Sequence, residues 1–65
     1  MSQAKILRDE FAKMNPYDQG WVVYLQGGVN DEIPNRNPYK KGTDDYDAFE
    51  SGKRAAHEMS KTVLM

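Results

Sequence analysis

A chain of 65 residues allows one small domain, and such domains bury only about 60% of the surface their unfolded chains expose. With no cysteine, neither a disulfide nor a cysteine-ligated zinc can staple the fold, so stability has to come from packing or from a partner. Nine basic and ten acidic side chains give a net charge of −1, which excludes the strong basic excess of a general nucleic-acid binder but not a local basic patch.

The first predicted element is a helix over residues 3–14. Ser2 stands at its N-cap, and Ala4, Ile6, Leu7, Phe11 and Met14 recur at helical spacing. Asn15-Pro16 interrupts the pattern and restarts it, because proline suits the first helical position and asparagine the cap before it. From there Tyr17, Gly20, Trp21, Tyr24 and Leu25 keep helical spacing to a stop at Gly27-Gly28. Val22 and Val23 are β-branched, and a strand over Trp21–Leu25 is the competing reading. The stretch does not alternate strictly, which favours the helix.

Residues 28–42 are rich in Gly, Asn, Asp and Pro and predict a long connection. Pro34 and Pro38 push Ile33 and Asn37 toward extended backbone, and Ile33, Pro38 and Tyr39 are the residues expected to pin the loop to the helices. Thr43 then offers an N-cap, with Asp44, Asp45 and Asp47 near the positive end of the helix dipole. Tyr46, Phe49, Gly52, Ala56, Met59 and Val63 form one apolar stripe of a helix from about 43 to 61, and Lys53, Arg54, His57 and Lys61 suit its later turns. The sequence Asn-Pro-Tyr-x-x-Gly occurs at Asn15–Gly20 and again at Asn37–Gly42. Copies this short read as two separate cap or turn signals rather than a repeat architecture.

The fold expected is an all-α single domain over residues 1–65: two antiparallel helices joined by a Pro/Asn/Gly loop, plus an N-terminal helix. Trp21, Tyr24, Tyr46 and Phe49 are the expected core, since few other large apolar groups are present. Gly20 and Gly52 are expected to let the helices approach closely. No apolar run reaches the length of a membrane span, and Met1–Glu10 lacks the apolar centre of a signal peptide. The expectation is a cytoplasmic protein without membrane partners. A core this small, with Val63-Leu64-Met65 as an apolar tail, also leaves homo-oligomerisation open.

Gly20-Trp21, then Gly27, Asn37-Pro38-Tyr39, Tyr46 with Phe49 and Gly52, and Ala55-Ala56 follow one another in an order that resembles the ribosome modulation factor family, including its ciprofloxacin-resistance-type relatives. The resemblance spans residues 20–58. It implies a small helical bacterial or phage protein, with Gly20, Trp21, Tyr24, Asn37, Pro38, Tyr46, Phe49 and Gly52 as the structural motif. It further implies translation control of the ribosome-hibernation kind, by docking on the small ribosomal subunit and its rRNA. The family's founding member carries an Arg- and Lys-rich N-terminal segment, where this chain has Lys5, Arg8, Asp9, Glu10 and Lys13.

The residues expected to hold RNA or another partner are Arg36, Lys40 and Lys41 in the loop and Lys53 and Arg54 on the last helix. Tyr39 is expected to fix the loop or stack on a base. Lys53, His57 and Lys61 share one helix face, which reads either as a phosphate-binding surface or as a solvated face matched to the helix dipole. The alternative function is a phage- or plasmid-type module that binds a host protein, with Asp44, Asp45, Asp47 and Glu50 in the contact. A small ATP-dependent phosphotransferase is a third possibility, but Gly27-Gly28 lacks the Lys-Ser/Thr ending of a phosphate loop. The acidic residues lack calcium-loop spacing, and no acid–histidine–serine constellation surrounds His57. No metal, cofactor or catalytic residue is therefore expected.

Overall fold

The computed structural model describes residues 5–63, with side chains as far as residue 61. Three helices follow in order: α1 (Arg8–Lys13), α2 (Pro16–Gln26) and α3 (Asp44–Val63). No strand occurs among the described residues, so the all-α class holds and the Trp21 stretch is helical.

α1 is shorter than the spacing predicts, with six residues. The reason lies in polar ties just before it. The Ile6 N–H donates to Gln26 Oε1 at 3.2 Å, and the Ile6 carbonyl accepts from Asn30 Nδ2 at 2.9 Å. Those backbone groups are satisfied by the last residue of α2 and by Asn30 in the loop after it instead of by a helical turn. Leu7 then enters α1 in extended backbone, its N–H donating to Glu10 Oε1 at 3.2 Å. Ser2 and Ala4, assigned to this helix from sequence, lie outside the described residues.

α2 begins as its sequence dictates. Asn15 Oδ1 accepts the Asp18 N–H at 2.9 Å, and Pro16 occupies the first helical position. Gly27 ends it, with its N–H on the Val23 carbonyl at 2.8 Å, but the positive φ, +90°, falls on Gly28. Thr43 caps α3: its Oγ1 accepts the Tyr46 N–H at 3.1 Å and donates to the Lys40 carbonyl at 2.8 Å. The two Asn-Pro-Tyr copies therefore do different work. Asn15 caps a helix, whereas Asn37 folds a turn, its Oδ1 accepting the Tyr39 N–H at 3.0 Å.

The core is a cluster of Phe11, Val23, Ile33 and Phe49, with Ile6, Met14, Val22 and Tyr39 packed on it. This corrects the expected aromatic core. Only Phe49 of the four named residues is fully buried; Trp21 and Tyr46 are half-buried and Tyr24 is 36% exposed. The stripe on α3 is buried at Phe49, Gly52 and Ala56, whereas Met59 is exposed and the Val63 side chain lies outside the described region. The cause is the two glycines. A Cβ at Gly20 would stand 2.9 Å from the Lys53 amide nitrogen and closer still to the Phe49 carbonyl oxygen. A Cβ at Gly52 would stand 2.9 Å from the Tyr17 carbonyl carbon and closer still to its oxygen. Backbone thus meets backbone where α2 and α3 cross, so the Phe49 ring packs with Phe11, Val23 and Ile33 and the Trp21, Tyr24 and Tyr46 rings lie at the rims.

The loop is pinned by Ile33, which is buried, and by Tyr39, whose ring stands edge-on to Phe49 at 6.1 Å between centroids. Pro38, expected to help, is exposed. Asn37 takes its place, donating from Nδ2 to the Tyr46 carbonyl at 3.1 Å and to Glu50 Oε2 at 3.0 Å.

Candidate functional site

The candidate cations fall into two groups placed by different devices. Lys40 and Lys41 precede Gly42, whose φ is +96°, in the turn closed by the Thr43 hydroxyl on the Lys40 carbonyl. Both side chains are exposed at the start of α3, next in sequence to Asp44 and Asp45. Arg36 is exposed beside Asn37, and Asn37 is tied to Glu50, so Arg36 enters the neighbourhood of the Tyr46–Glu50 turn. Arg54 follows Glu50 by one helical turn and is exposed. Lys53 is half-buried, because its backbone lies in the crossing with Gly20.

Ion pairing engages three of the four cations outside this set, and Lys13 is the exception. Lys5 reaches Asp31 at 3.4 Å, Arg8 reaches Glu32 at 4.0 Å, and Lys61 reaches Glu58 at 4.0 Å. None of Arg36, Lys40, Lys41, Lys53 or Arg54 has a carboxylate partner among the described residues. Their charges remain available to an external anion, in high dielectric, where each exposed contact is individually weak.

Tyr39 is committed inward. Its hydroxyl donates to Gln19 Oε1 and its ring meets Phe49, an arrangement that fits the loop-fixing role rather than base stacking. Asn37, Gly20, Gly52 and Phe49 form the scaffold, Trp21 and Tyr46 lie at its half-buried rim, and Pro38 and Tyr24 are at the surface. Tyr24 nonetheless joins the helices: its hydroxyl lies 3.0 Å from His57 Nδ1, with the rings edge-to-face at 5.7 Å.

Two buried polar residues escaped the sequence reading. Gln19, 4% exposed, donates from Nε2 to the Phe11 carbonyl at 2.7 Å while accepting from Tyr39. Asn30, 3% exposed, donates to Ile6 and to Gln26 Oε1 at 2.8 Å, and accepts the Glu32 N–H at 2.9 Å. The only available signal for Gln19 was its spacing, four residues before buried Val23 on one helix face.

Two shallow surface hollows, of about 370 and 400 Å³, are lined by Val29, Ile33 and Pro34 and by Leu7, Arg8 and Glu32 respectively. Neither includes one of the candidate cations. No cluster of three or more His, Asp or Glu with metal-binding geometry occurs among the described residues, Asp44, Asp45, Asp47 and Glu50 included. No described helix is long and apolar enough to cross a membrane. Compared with known proteins, the chain matches no family model, no curated protein and no solved structure.

Proposed function

We propose that this chain is a small non-enzymatic regulator that resembles ribosome modulation factor and docks on the small ribosomal subunit through rRNA. Arg36, Lys40, Lys41, Lys53 and Arg54 hold phosphate, and the bound domain controls translation by occlusion. The observation that supports this reading is the pairing contrast. Three of the four cations outside the set are ion-paired with carboxylates, Lys13 being the exception, whereas none of the five inside it is paired among the described residues. An acidic chain can still bind phosphate locally when its cations are not internally neutralised.

Co-sedimentation with small subunits tests it. Five cations neutralising one phosphate each give a log–log salt slope of about −3.5 to −4.5. The double charge reversal Lys53→Glu/Arg54→Glu should abolish co-sedimentation while far-UV circular dichroism stays unchanged. Binding that ignores both salt and the double reversal refutes the proposal, as does no binding at all.

A second reading, a module that binds a host protein, draws on Asp44, Asp45 and Asp47, which are exposed and have no cationic partner among the described residues. It predicts capture of a partner that survives nuclease treatment.

A further inference from the structure

We infer that the aromatic edge of α2, formed by Tyr17, Trp21 and Tyr24, acts with Lys53 and His57 of α3 as a stacking site for single-stranded RNA. This rests on the rRNA-binding reading and names the form of RNA recognised.

Tyr17, Trp21 and Tyr24 are spaced i, i+4 and i+7, and so line one edge of α2. Tyr17 is 42% and Tyr24 36% exposed, and Trp21 is half-buried. A folded domain with so few large apolar groups in its core would be expected to bury these rings. The glycine crossing leaves no room for them where α2 and α3 touch, and they lie at its margin. Successive contacts fix the alignment: the Tyr17 carbonyl lies against Gly52, Gly20 against the Lys53 amide, and the Tyr24 hydroxyl against His57. The three aromatic residues thereby border the side of α3 that carries Lys53 and His57, with Tyr24 packed edge-to-face on His57.

Stacking platforms flanked by cations bind single strands without base readout. Helical rise sets these rings about 6 and 4.5 Å apart along the axis. Both intervals exceed the roughly 3.4 Å step of stacked bases within a duplex strand, and so suit splayed bases. The charge around the edge is compatible with a phosphate backbone. Glu58 is paired with Lys61, while Glu50, which accepts from the neutral Asn37 amide, keeps its charge one turn before Lys53 and Arg54. Asp18, the acidic residue of α2, stands three residues before Trp21 and so borders the outer side of the aromatic edge, whereas Lys53 and His57 belong to α3 on its inner side.

The test uses the whole chain and its one tryptophan, Trp21, as the reporter. A single-stranded oligouridylate should quench Trp21 fluorescence saturably at concentrations where an RNA duplex of equal length has no effect. Tyr17→Ala should weaken binding about ten-fold, the scale of one lost base–aromatic stack, with far-UV circular dichroism unchanged. Lys53→Gln should make the log–log salt slope shallower by about 0.7. Equal binding of duplex and single strand overturns the inference, and so does indifference to Tyr17→Ala. Nuclease-resistant capture of a protein that Tyr17→Ala abolishes overturns it in favour of a protein partner. If the chain co-sediments with small subunits yet oligouridylate leaves Trp21 unchanged, this inference falls and the ribosome reading stands. If oligouridylate binds as described but co-sedimentation fails, the ribosome reading falls alone.

Discussion

Replacing Gly20 or Gly52 by alanine is the most direct test of how this domain holds together. At a solvent-facing position inside a helix, Gly→Ala stabilises by about 1 kcal/mol through reduced backbone entropy in the unfolded chain. Here the new methyl meets main chain. At Gly20 it would sit 2.9 Å from the Lys53 nitrogen, where ordinary contact begins near 3.4 Å, and the Phe49 carbonyl is nearer. No rotamer change relieves a clash with backbone, so α2 and α3 must separate. Forced overpacking costs about 1–3 kcal/mol and sometimes more, and the rigidity of both partners places these sites at the upper end. After the propensity gain, each single variant should lose about 2 kcal/mol. That is a large share of the roughly 3–10 kcal/mol expected for 65 residues. The two sites form one contact, so the double variant should lose less than the sum, since separation caused by the first methyl makes room for the second. Urea unfolding followed by Trp21 fluorescence and circular dichroism measures this. Gly28→Ala is the control: a Cβ there meets nothing within 4 Å, so any loss reflects only its φ of +90°. If Gly20→Ala or Gly52→Ala is as stable as the parent, or more so, the glycine crossing is not what joins the helices.

Gln19→Leu keeps the volume but removes the donor to the Phe11 carbonyl and the acceptor of the Tyr39 hydroxyl. It should destabilise by about 1–3 kcal/mol in the same urea experiment, and an unchanged midpoint would show that water replaces both bonds. Asn37→Ala removes the turn bond to Tyr39 and both ties to α3; hydrogen exchange at the Tyr39 amide should accelerate while amides inside α2 keep their protection. Equal protection of Tyr39 in parent and variant would mean that Ile33 and the Tyr39 ring hold the loop by themselves.

Local chemistry was readable in the sequence, and long-range satisfaction was not. Asn15-Pro16 and Thr43 mark helix starts because a cap is decided within three residues, and both caps form as expected. Gly20 and Gly52 stand out as interior glycines that a helix would otherwise disfavour, and each lies at the crossing. The start of α1 was misplaced because Ile6 answers to Gln26 and Asn30, residues distant in sequence. Size alone points to Trp21 and Tyr24 as core, yet the backbone-to-backbone crossing has no room for a ring at Gly20 and Gly52, and only Phe49 of the expected rings is enclosed, packed with Phe11, Val23 and Ile33. The cations could be named from sequence, but which of them are neutralised could not. Lys61 has a near neighbour in Glu58, whereas Lys5 and Arg8 find Asp31 and Glu32 across the fold.

The buried polar residues follow from the same scarcity of apolar volume. Phe11, Val23, Ile33, Phe49 and Ala56 are the buried apolar side chains among the described residues, too few to cover a loop reaching from Gly27 to Thr43. Gln19 and Asn30 stand where that loop and the N-terminal segment come together, and each bridges main chain or side chains from two other parts of the molecule. Amides suit this place because each offers both donors and acceptors, and a satisfied buried amide specifies one arrangement where an aliphatic contact tolerates many. No buried side-chain nitrogen or oxygen is left without a partner among the described residues. The consequence for function is mechanical. Arg36, Lys40 and Lys41 lie on a connection held at Ile33, Asn37, Tyr39 and Thr43, so much of the entropy of ordering that loop is already spent before any phosphate arrives.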